Sequence, residues 1–520
     1  MTRAVSLTTT PTGPKGLTSP VLLVSVFVIA TSGIIYQLVA GTLASYVLGD
    51  SVTQFSLVIG FYLFAMGIGS WLSKYVETDL LSRFVQIELG LALVGGLSGP
   101  LLFRIYASYG AFKIALYVTV TLIGTLVGLE IPLLLRLLKF SLDLKDLVAR
   151  VLSLDYIGAL LASLLFPTLL LPRLGVHQTS LLFGALNAVV GILAVFLFPL
   201  PRPVQARLIA SGVFVLIALG VVSLSTNQIV RSSESLYFGS PIVYVTQSPY
   251  QRVVVTQSPK TAKLFLNGNL QFSSDDEYRY HEALVHPVMA SYPSGPKRVV
   301  VLGGGDGLAV RELLKYESIE HIDLVDLDPA MTAFFRDHEL GRRLNERSLA
   351  DPRVAIHNSD AFRWLEETNE LAYDVAIVDF PDPSNYGVGK LYTDAFYLRL
   401  RRQLSHRGVA VVQATSPGFA RKSFWTIATT IEAAGFSALP YHAYVPSFGD
   451  WGFILAGRDG LLPPTTLTVD VAKIRFLDDV ILRQLFEFPR DQARLPADVN
   501  RLNDQLLVSL YTTEWGEWSR

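Results

Sequence analysis

Arg298-Val-Val-Val-Leu-Gly-Gly-Gly-Asp-Gly307 is the stretch on which the reading of this chain turns. Val299, Val300 and Val301 are β-branched and read as a strand. The glycines that follow permit a tight turn and let a ligand approach the backbone. Leu308-Ala-Val-Arg-Glu-Leu-Leu-Lys315 then reads as a helix. Strand, glycine turn and helix together open a nucleotide-binding α/β unit. Asp306 is the unusual member. A phosphate-binding loop avoids a carboxylate, because its helix N-terminus must receive an anion. A carboxylate in this turn points to a ligand that is cationic or rich in hydroxyls.

Downstream, strands and helices alternate. Arg298–Leu302, His321–Val325, Val354–His357, Asp374–Val378 and Val409–Ala414 read as strands. Helices fall between them, among them Ala330–His338, Ala361–Thr368, Thr393–Leu404 and Lys422–Ala434. This predicts a doubly wound, mostly parallel sheet of the Rossmann-like, methyltransferase type. Leu439–Val445 and Gly452–Ala456 are expected to close it as an antiparallel pair. Ligands of such sheets bind at the carboxyl ends of the strands. Those ends carry acids here: Asp306, then Asp326-Leu-Asp-Pro329, then Ser359-Asp360-Ala361, then Asp379-Phe-Pro-Asp-Pro383. Crowded like charges cost energy unless a cation joins them. Asp326 is placed to accept hydrogen bonds from a ribose. Asp328, before Pro329, reads as a helix cap. Asp360 suits either a helix cap or an adenine amino group. Asp379 and Asp382 sit in a proline-stiffened loop with no helix to cap.

Upstream, Ile242–Thr246, Gln251–Thr256 and Ala262–Leu266 alternate as strands, and Asn267-Gly268 is a hairpin signal. A small antiparallel sheet is expected, then a helix over Glu277–Ala290 carrying Tyr280, His281, Glu282 and His286. The histidine spacing is not a zinc pattern.

The first half has a different character. Seven apolar runs are long enough to cross about 30 Å of hydrocarbon: Val21–Leu48, Val52–Leu72, Phe84–Phe103, Ile114–Leu138, Leu152–Leu171, Ser180–Leu200 and Leu208–Leu224. The first is too long, and lacks the small-residue cleavage site, to be a signal peptide. The expected organisation is a polar tail (1–20), a multi-pass helical membrane domain (21–225), a small β-sheet subdomain with its helix (226–290), the Rossmann-like domain (291–460) and a helical C-terminal cap (461–520). Glu88, Glu130 and Asp155 lie at membrane depth, where carboxylates are functional candidates. They would pair with Arg136 or Arg150 near helix ends, or sit at the interface, or line a cation path should the ligand of the second half be a polycation. Lys and Arg favour the loops on the side of the N-terminus, which puts that end in the cytoplasm. Seven spans would then leave the C-terminal half outside.

Composition narrows the function. The chain has 520 residues, 51% hydrophobic and 17% charged, which is apolar for a soluble protein. A net charge of −1 gives no footing for nucleic acid. Without cysteine, disulfides, thiolate catalysis and cysteine-ligated metals are excluded.

Taken together, Gly303-Gly-Gly-Asp-Gly307, the acidic end of the second strand, Ser359-Asp-Ala361 and Asp379-x-x-Asp-Pro383 resemble the polyamine aminopropyltransferases, the spermidine synthases. Pro249-Tyr-Gln-Arg252, Leu266-Asn-Gly-Asn-Leu-Gln271, Asp276–Glu282, Leu391-Tyr-Thr393 and Val412-Gln-Ala-Thr-Ser416 fit as well. The resemblance covers Ser240 to Gly457, and the apolar half is similar to the membrane-fused bacterial branch. Asp326 stands where many members carry Glu, Ala361 where Gly is common, and Phe380-Pro381 where small polar residues are usual.

The resemblance implies transfer of the aminopropyl group of decarboxylated S-adenosylmethionine to putrescine, giving spermidine and methylthioadenosine. No metal or redox cofactor is implied, since the donor is a co-substrate. Asp379 would take the proton of the attacking amine, and Tyr280 would orient that amine. Gln251, Asp326, Asp360, Ala361, Gly303 and Gly305 would hold the donor nucleoside. Asp306, Asp382 and His281 would line the aminopropyl and polyamine site. The resemblance further implies a homodimer or homotetramer, and a catalytic domain in the cytoplasm, against the loop charges. Competing readings are a polyamine transporter or sensor with a synthase-like binding domain, and an S-adenosylmethionine methyltransferase on the same fold. A membrane anchor is the plainer account of the first half.

Overall fold

The computed structural model describes residues 18–48, 51–105, 109–139, 143–197, 200–292, 294–367, 373–458 and 460–518. Most of the polar N-terminal tail lies outside them. The chain divides into two compact units, 1–239 and 240–520.

The first unit is helical throughout: α1 (Thr18–Leu48), α2 (Ser51–Leu72), α3 (Leu80–Ile105), α4 (Tyr109–Leu138), α5 (Leu144–Leu165), α6 (Leu171–Leu197) and α7 (Arg202–Phe238). Among the described residues, six helical stretches are long and apolar enough to cross a membrane, where the sequence suggested seven runs. The fifth and sixth runs fall in one stretch, Lys145–Phe196. It continues through a π-helical turn at Phe166–Leu170 and breaks at Gly175, whose φ of 70° and ψ of 176° are not helical. Helices α2 and α4 approach closely at glycines. A Cβ on Gly128 would lie 2.1 Å from the Met66 carbonyl oxygen, and one on Gly69 would lie 2.1 Å from that of Thr125. Small residues permit such contact between apolar helices. The last helix ends at Phe238, well beyond the expected boundary near Thr226. Glu88 and Glu130 are fully buried beside each other and no other group hydrogen-bonds them, so the expected pairing with Arg136 or Arg150 is not made. Arg136 donates instead to the Ser73 and Val76 carbonyls in the turn that follows α2.

The second unit begins with an antiparallel sheet in the order β1 (Ile242–Gln247), β2 (Arg252–Gln257), β3 (Ala262–Leu266), β4 (Asn269–Ser273). Asn267 and Gly268 turn β3 into β4 with φ of 49° and 85°, the double positive φ of a tight hairpin. Helix α8 (Glu277–Ala290) follows. The larger sheet comprises β5 (Arg298–Gly303), β6 (His321–Asp326), β7 (Val354–Asn358), β8 (Tyr373–Asp379), β9 (Leu404–Gln413), β10 (Ser437–Val445) and β11 (Gly449–Gly457). Its order is β10-β11-β9-β8-β5-β6-β7, with five parallel strands and an antiparallel β10–β11 pair at one edge. Val299 and Val301 pack into one core, Val300 and Leu302 into another on the opposite face. That two-sided burial explains the unbroken apolar run in β5. Short helices α9 (Leu308–Leu313) and α10 (Pro329–Asp337) follow β5 and β6. From β5 the chain winds first to β6 and β7, then returns to β8 and β9. The carboxyl ends of β5 and β8 therefore flank the switch point, where such sheets hold ligands.

The segment after β11 is not the helical cap expected. It is largely irregular, with a short helix at Asp479–Gln484 and a final one at Leu506–Trp518. Pro463, Pro464, Pro489 and Pro496 interrupt it. It is nonetheless tied down. The buried Glu282 carboxylate accepts the backbone N–H groups of Arg475, Phe476 and Leu477 at 2.6–3.0 Å.

Candidate active site

Glycine brings the strand ends into contact. Gly303 at the end of β5 pairs with Asp379 at the end of β8. A Cβ on Gly303 would stand 2.2 Å from the Asp379 carbonyl oxygen, and φ there is 82°. A Cβ on Gly305 would meet the Asp326 carboxyl at 2.6 Å. With no side chain, Gly305 N–H donates to Asp326 Oδ2 at 3.0 Å. The glycine turn and two of the acids thus form one surface.

On the β8 side, Tyr280 of α8 donates its hydroxyl to Asp379 Oδ1 at 2.6 Å. Next to Tyr280, His281 is buried and shares Nδ1 with Glu277 Oε2 at 2.8 Å. Arg311 of α9 donates two hydrogen bonds, each 2.9 Å, to the Glu277 carboxylate. Burial works against a charge on His281, but the Glu277 hydrogen bond outweighs it and lifts the imidazole to about 9. His281 is therefore an imidazolium at neutral pH. Its charge is felt by Asp306 and Asp379, and it makes no hydrogen bond to either.

Asp382 lies beyond Asp379 and is held by neutral donors. Gln413 at the end of β9 places Nε2 3.1 Å from Asp382 Oδ1, and Thr415 Oγ1 donates to Oδ2 at 3.1 Å. The Gln413 amide orientation is fixed by its oxygen, which accepts from Thr415 N–H and Trp451 Nε1. Tyr511 of the final helix also hydrogen-bonds Asp382. Trp515, one turn on, reaches Thr415 Oγ1 at 3.4 Å and packs near Phe419 and Trp451. Glu514 accepts from Lys422 N, Ser423 N and Ser423 Oγ, so the final helix is pinned to the helix at Arg421–Ala433.

On the β6 side, Asp326 accepts from Gly305 N–H and, at 2.8 Å, from Asp328 N–H. Asp328 caps α10 through Ala330 N–H, as its sequence suggested. Its other oxygen accepts from Ser248 Oγ at 2.7 Å and Gln251 Nε2 at 3.0 Å. Gln251 thereby docks the small sheet onto this rim. Asp360 accepts from Phe362 N–H and takes Lys390 Nζ on its second oxygen, so its capping role is realised. Ala361 is buried as the first residue of the helix that follows.

Four carboxyls crowd this rim, and burial raises their affinity for protons. Burial pushes Asp306, Asp326 and Asp382 up to about 6 each, and raises Asp379 as well. His281 opposes the rise at Asp306 and Asp379. Asp326, Asp379 and Asp382 are half-buried and remain open to a ligand. Among the described residues no cluster of His, Asp and Glu is arranged to hold a metal ion. Sequence reasoning missed Glu277, Arg311, Gln413 and Tyr511. Glu277 and His281 at i, i+4 was the one readable signal. Tyr511 lies 129 residues beyond Asp382, counted from their positions, and carries no local signature.

Residues 277–461 match the spermine/spermidine synthase domain. The chain is 50% identical over 497 residues to the polyamine aminopropyltransferase of Leptospira interrogans, covering 95% of this chain and 98% of that protein. It is 49% identical over 507 residues to polyamine aminopropyltransferase 2 of Ralstonia nicotianae, covering 95% and 98%. A solved spermidine synthase in complex with the transition state analogue AdoDATO aligns at 22% identity and a TM-score of 0.43, over 53% of this chain and 88% of that one. The two alignments to curated relatives span the helical unit as well as the α/β unit, and the chain belongs to the polyamine aminopropyltransferases.

Proposed function

We propose that the α/β unit moves the aminopropyl group of decarboxylated S-adenosylmethionine to putrescine, giving spermidine and methylthioadenosine. The observation that carries this is Asp379, bound by Tyr280 at 2.6 Å on a rim that also presents Asp306, Asp326 and Asp382. Both substrates are cations. The amine nitrogen attacks the carbon beside the sulfonium and a C–N bond forms. The C–S bond breaks and its electron pair returns to sulfur, leaving neutral methylthioadenosine. One proton leaves the amine. An amine of pKa roughly 10 is protonated at neutral pH, so a carboxylate must accept that proton and hold the nitrogen in line. Asp379 has that role, with Tyr280 fixing its carboxylate. Asp306 receives the ammonium of the aminopropyl arm and repels the extra carboxylate of intact S-adenosylmethionine.

Gln251 and Asp326 hold the ribose, Asp360 and Ala361 the adenine, and Gly303 and Gly305 give the backbone clearance. Asp382, with its Gln413, Thr415 and Tyr511 donors, receives the distal amine. His281 balances the acids from below, supported by Glu277 and Arg311. The donor carries its own activation as a sulfonium, so the transfer needs no metal or redox cofactor. The test is methylthioadenosine release from decarboxylated and intact S-adenosylmethionine, each with a panel of diamines. Release from the decarboxylated donor alone supports the reading. Methyl transfer from the intact one would replace it with a methyltransferase.

The helical unit is proposed to lie in the cell membrane. Phe64, Phe214, Ile217 and Leu224 turn outward on apolar helices, as hydrocarbon-facing residues do. The catalytic unit is proposed to face the cytoplasm, where the donor would be expected. That requires an even number of crossings if the N-terminus is cytoplasmic. Counting Lys145–Phe196 as one passage gives six. Assembly as a homodimer or homotetramer remains part of the proposal.

A further inference from the structure

The helical unit holds an acidic cluster that aminopropyl transfer does not use. Glu88 on α3 and Glu130 on α4 are fully buried. Their side chains lie within hydrogen-bond reach of each other, a contact that needs a proton on one of them, and no other donor reaches any of the four carboxyl oxygens. Further buried polar groups surround them. The Tyr36 ring of α1 packs on Gly95 of α3, where a Cβ would come within 2.6 Å of it. The Tyr36 hydroxyl is fully buried, lacks a partner and is within electrostatic reach of both carboxyls. On α6, a Cβ at Gly191 would stand 3.3 Å from that of Glu88. Asn187, one turn earlier on the same face, is fully buried with both amide atoms unpartnered. Tyr62 of α2 faces Glu130 and brings its hydroxyl within 2.8 Å of a Cβ position on Gly33 of α1. Five helices converge on one place.

An arrangement of this kind is costly as it stands. A buried polar group without a partner costs about 1–3 kcal/mol, and an unpaired charge more. Arg136 is the cation nearest in sequence to Glu130, and it is committed to the Ser73 and Val76 carbonyls. Once the proton between the two carboxyls leaves, what the cluster offers is acceptors: four carboxyl oxygens, the Asn187 amide oxygen and the Tyr36 hydroxyl. A primary ammonium supplies one positive charge and three N–H donors. Two tyrosine rings beside it suit an organic cation. We propose that this cluster binds the primary ammonium group of an alkyl polyamine. That a cation binds follows from the cluster alone, and the choice of a polyamine rests on the reading of the α/β unit given above. The site is closed to solvent, so the helices must part to admit the amine.

Equilibrium dialysis of the full-length protein in detergent, with labelled spermidine and saturating methylthioadenosine, tests this. Wild type should bind two amines per chain. The double variant Glu88→Gln, Glu130→Gln should lose one of them while methylthioadenosine release in the transfer assay is unchanged. Tyr36→Phe, a milder change, should weaken the same event at least about threefold while the other is kept. One amine per chain in wild type, or two in wild type and double variant alike, would overturn the proposal. So would displacement of the second amine by sodium chloride but not by choline chloride of equal ionic strength, which would mark an inorganic cation site. Methylthioadenosine release in the same samples reports separately on the transferase reading.

Discussion

Asp379 is where the account is most exposed. Asp379→Asn keeps the shape and a hydrogen bond to Tyr280, but removes the proton acceptor. The turnover of methylthioadenosine release should fall about 10²–10⁴-fold, with donor binding little changed. Tyr280→Phe leaves the carboxylate chemically intact but loose. Its loss should be smaller, about tenfold, and should appear more in KM for the amine than in turnover. pH separates binding from chemistry. Asp306, Asp326 and Asp382 lie at about 6, above their ordinary carboxylate value, so each is neutral in acid and charged above about 6. Affinity for both cationic substrates should therefore rise as pH passes from 5 to 7. Stability of the free protein should move the opposite way. A raised carboxyl stabilises the fold while it is protonated, fully so below its unfolded value near 4, and that contribution is lost as pH climbs through about 6. Thermal melting from pH 4 to 7 checks this, and added substrates should restore the loss at the upper end. A free protein that gains stability across that window would contradict the assignment of these acids as the dominant titrating groups.

At the scale of the element, the final helix and α8 carry the instructive surprises. Strands were legible because β5, β6 and β8 are apolar runs ending in acids, and those acids sit where parallel strands hold ligands. The hairpin at Asn267-Gly268 was legible because its positive φ values suit those two residues. Tyr511 was not legible. Nothing local marks it, and only the folding back of an irregular, proline-broken segment brings it to Asp382. Pattern reasoning also expected that segment to be helical, since apolar spacing does not register what prolines prevent. The break at Gly175 falls between the two runs that hydropathy separated. Tyr511→Phe should shift acceptor preference, raising KM for putrescine several-fold, about 1 kcal/mol at the amine, with donor KM unaltered. Equal changes for donor and acceptor would assign Tyr511 to folding alone. Arg311→Ala is predicted to be far more damaging to stability. It removes the guanidinium shared by Glu277 and Glu312, both buried and both held near 2: burial works against their charge, but hydrogen bonds to His281 and His286, with Arg311 beside both, outweigh it. Breaking a buried pair from one side costs about 3–5 kcal/mol, readable as a fall in the denaturant midpoint.

For the whole molecule, the proposal to test is that the helical unit lies in a membrane with the α/β unit on its cytoplasmic side. The sequence contains no cysteine, so single cysteines can be introduced without background. Glu77 and Lys260 are exposed. Under the cytoplasmic proposal, Glu77→Cys and Lys260→Cys should both resist a membrane-impermeant maleimide in intact cells and react once the cells are opened. Labelling at Lys260→Cys in intact cells would put the catalytic unit outside and give the helical unit an odd number of passages. The nearly full-length alignments to curated relatives mean that the helical half is a shared part of these proteins. An anchor alone does not explain two carboxyls, Glu88 and Glu130, buried against each other without a basic partner.

The central claim is that Asp379 accepts the amine's proton during aminopropyl transfer. Its most direct test is methylthioadenosine release in a single turnover from bound decarboxylated S-adenosylmethionine, with saturating putrescine, for wild type and Asp379→Asn across pH. The account predicts rapid release by wild type at pH 7 to 8. It predicts slow release by the variant that recovers as pH approaches about 10, where the free amine no longer needs a base. Equal release by both proteins at pH 7 would contradict it.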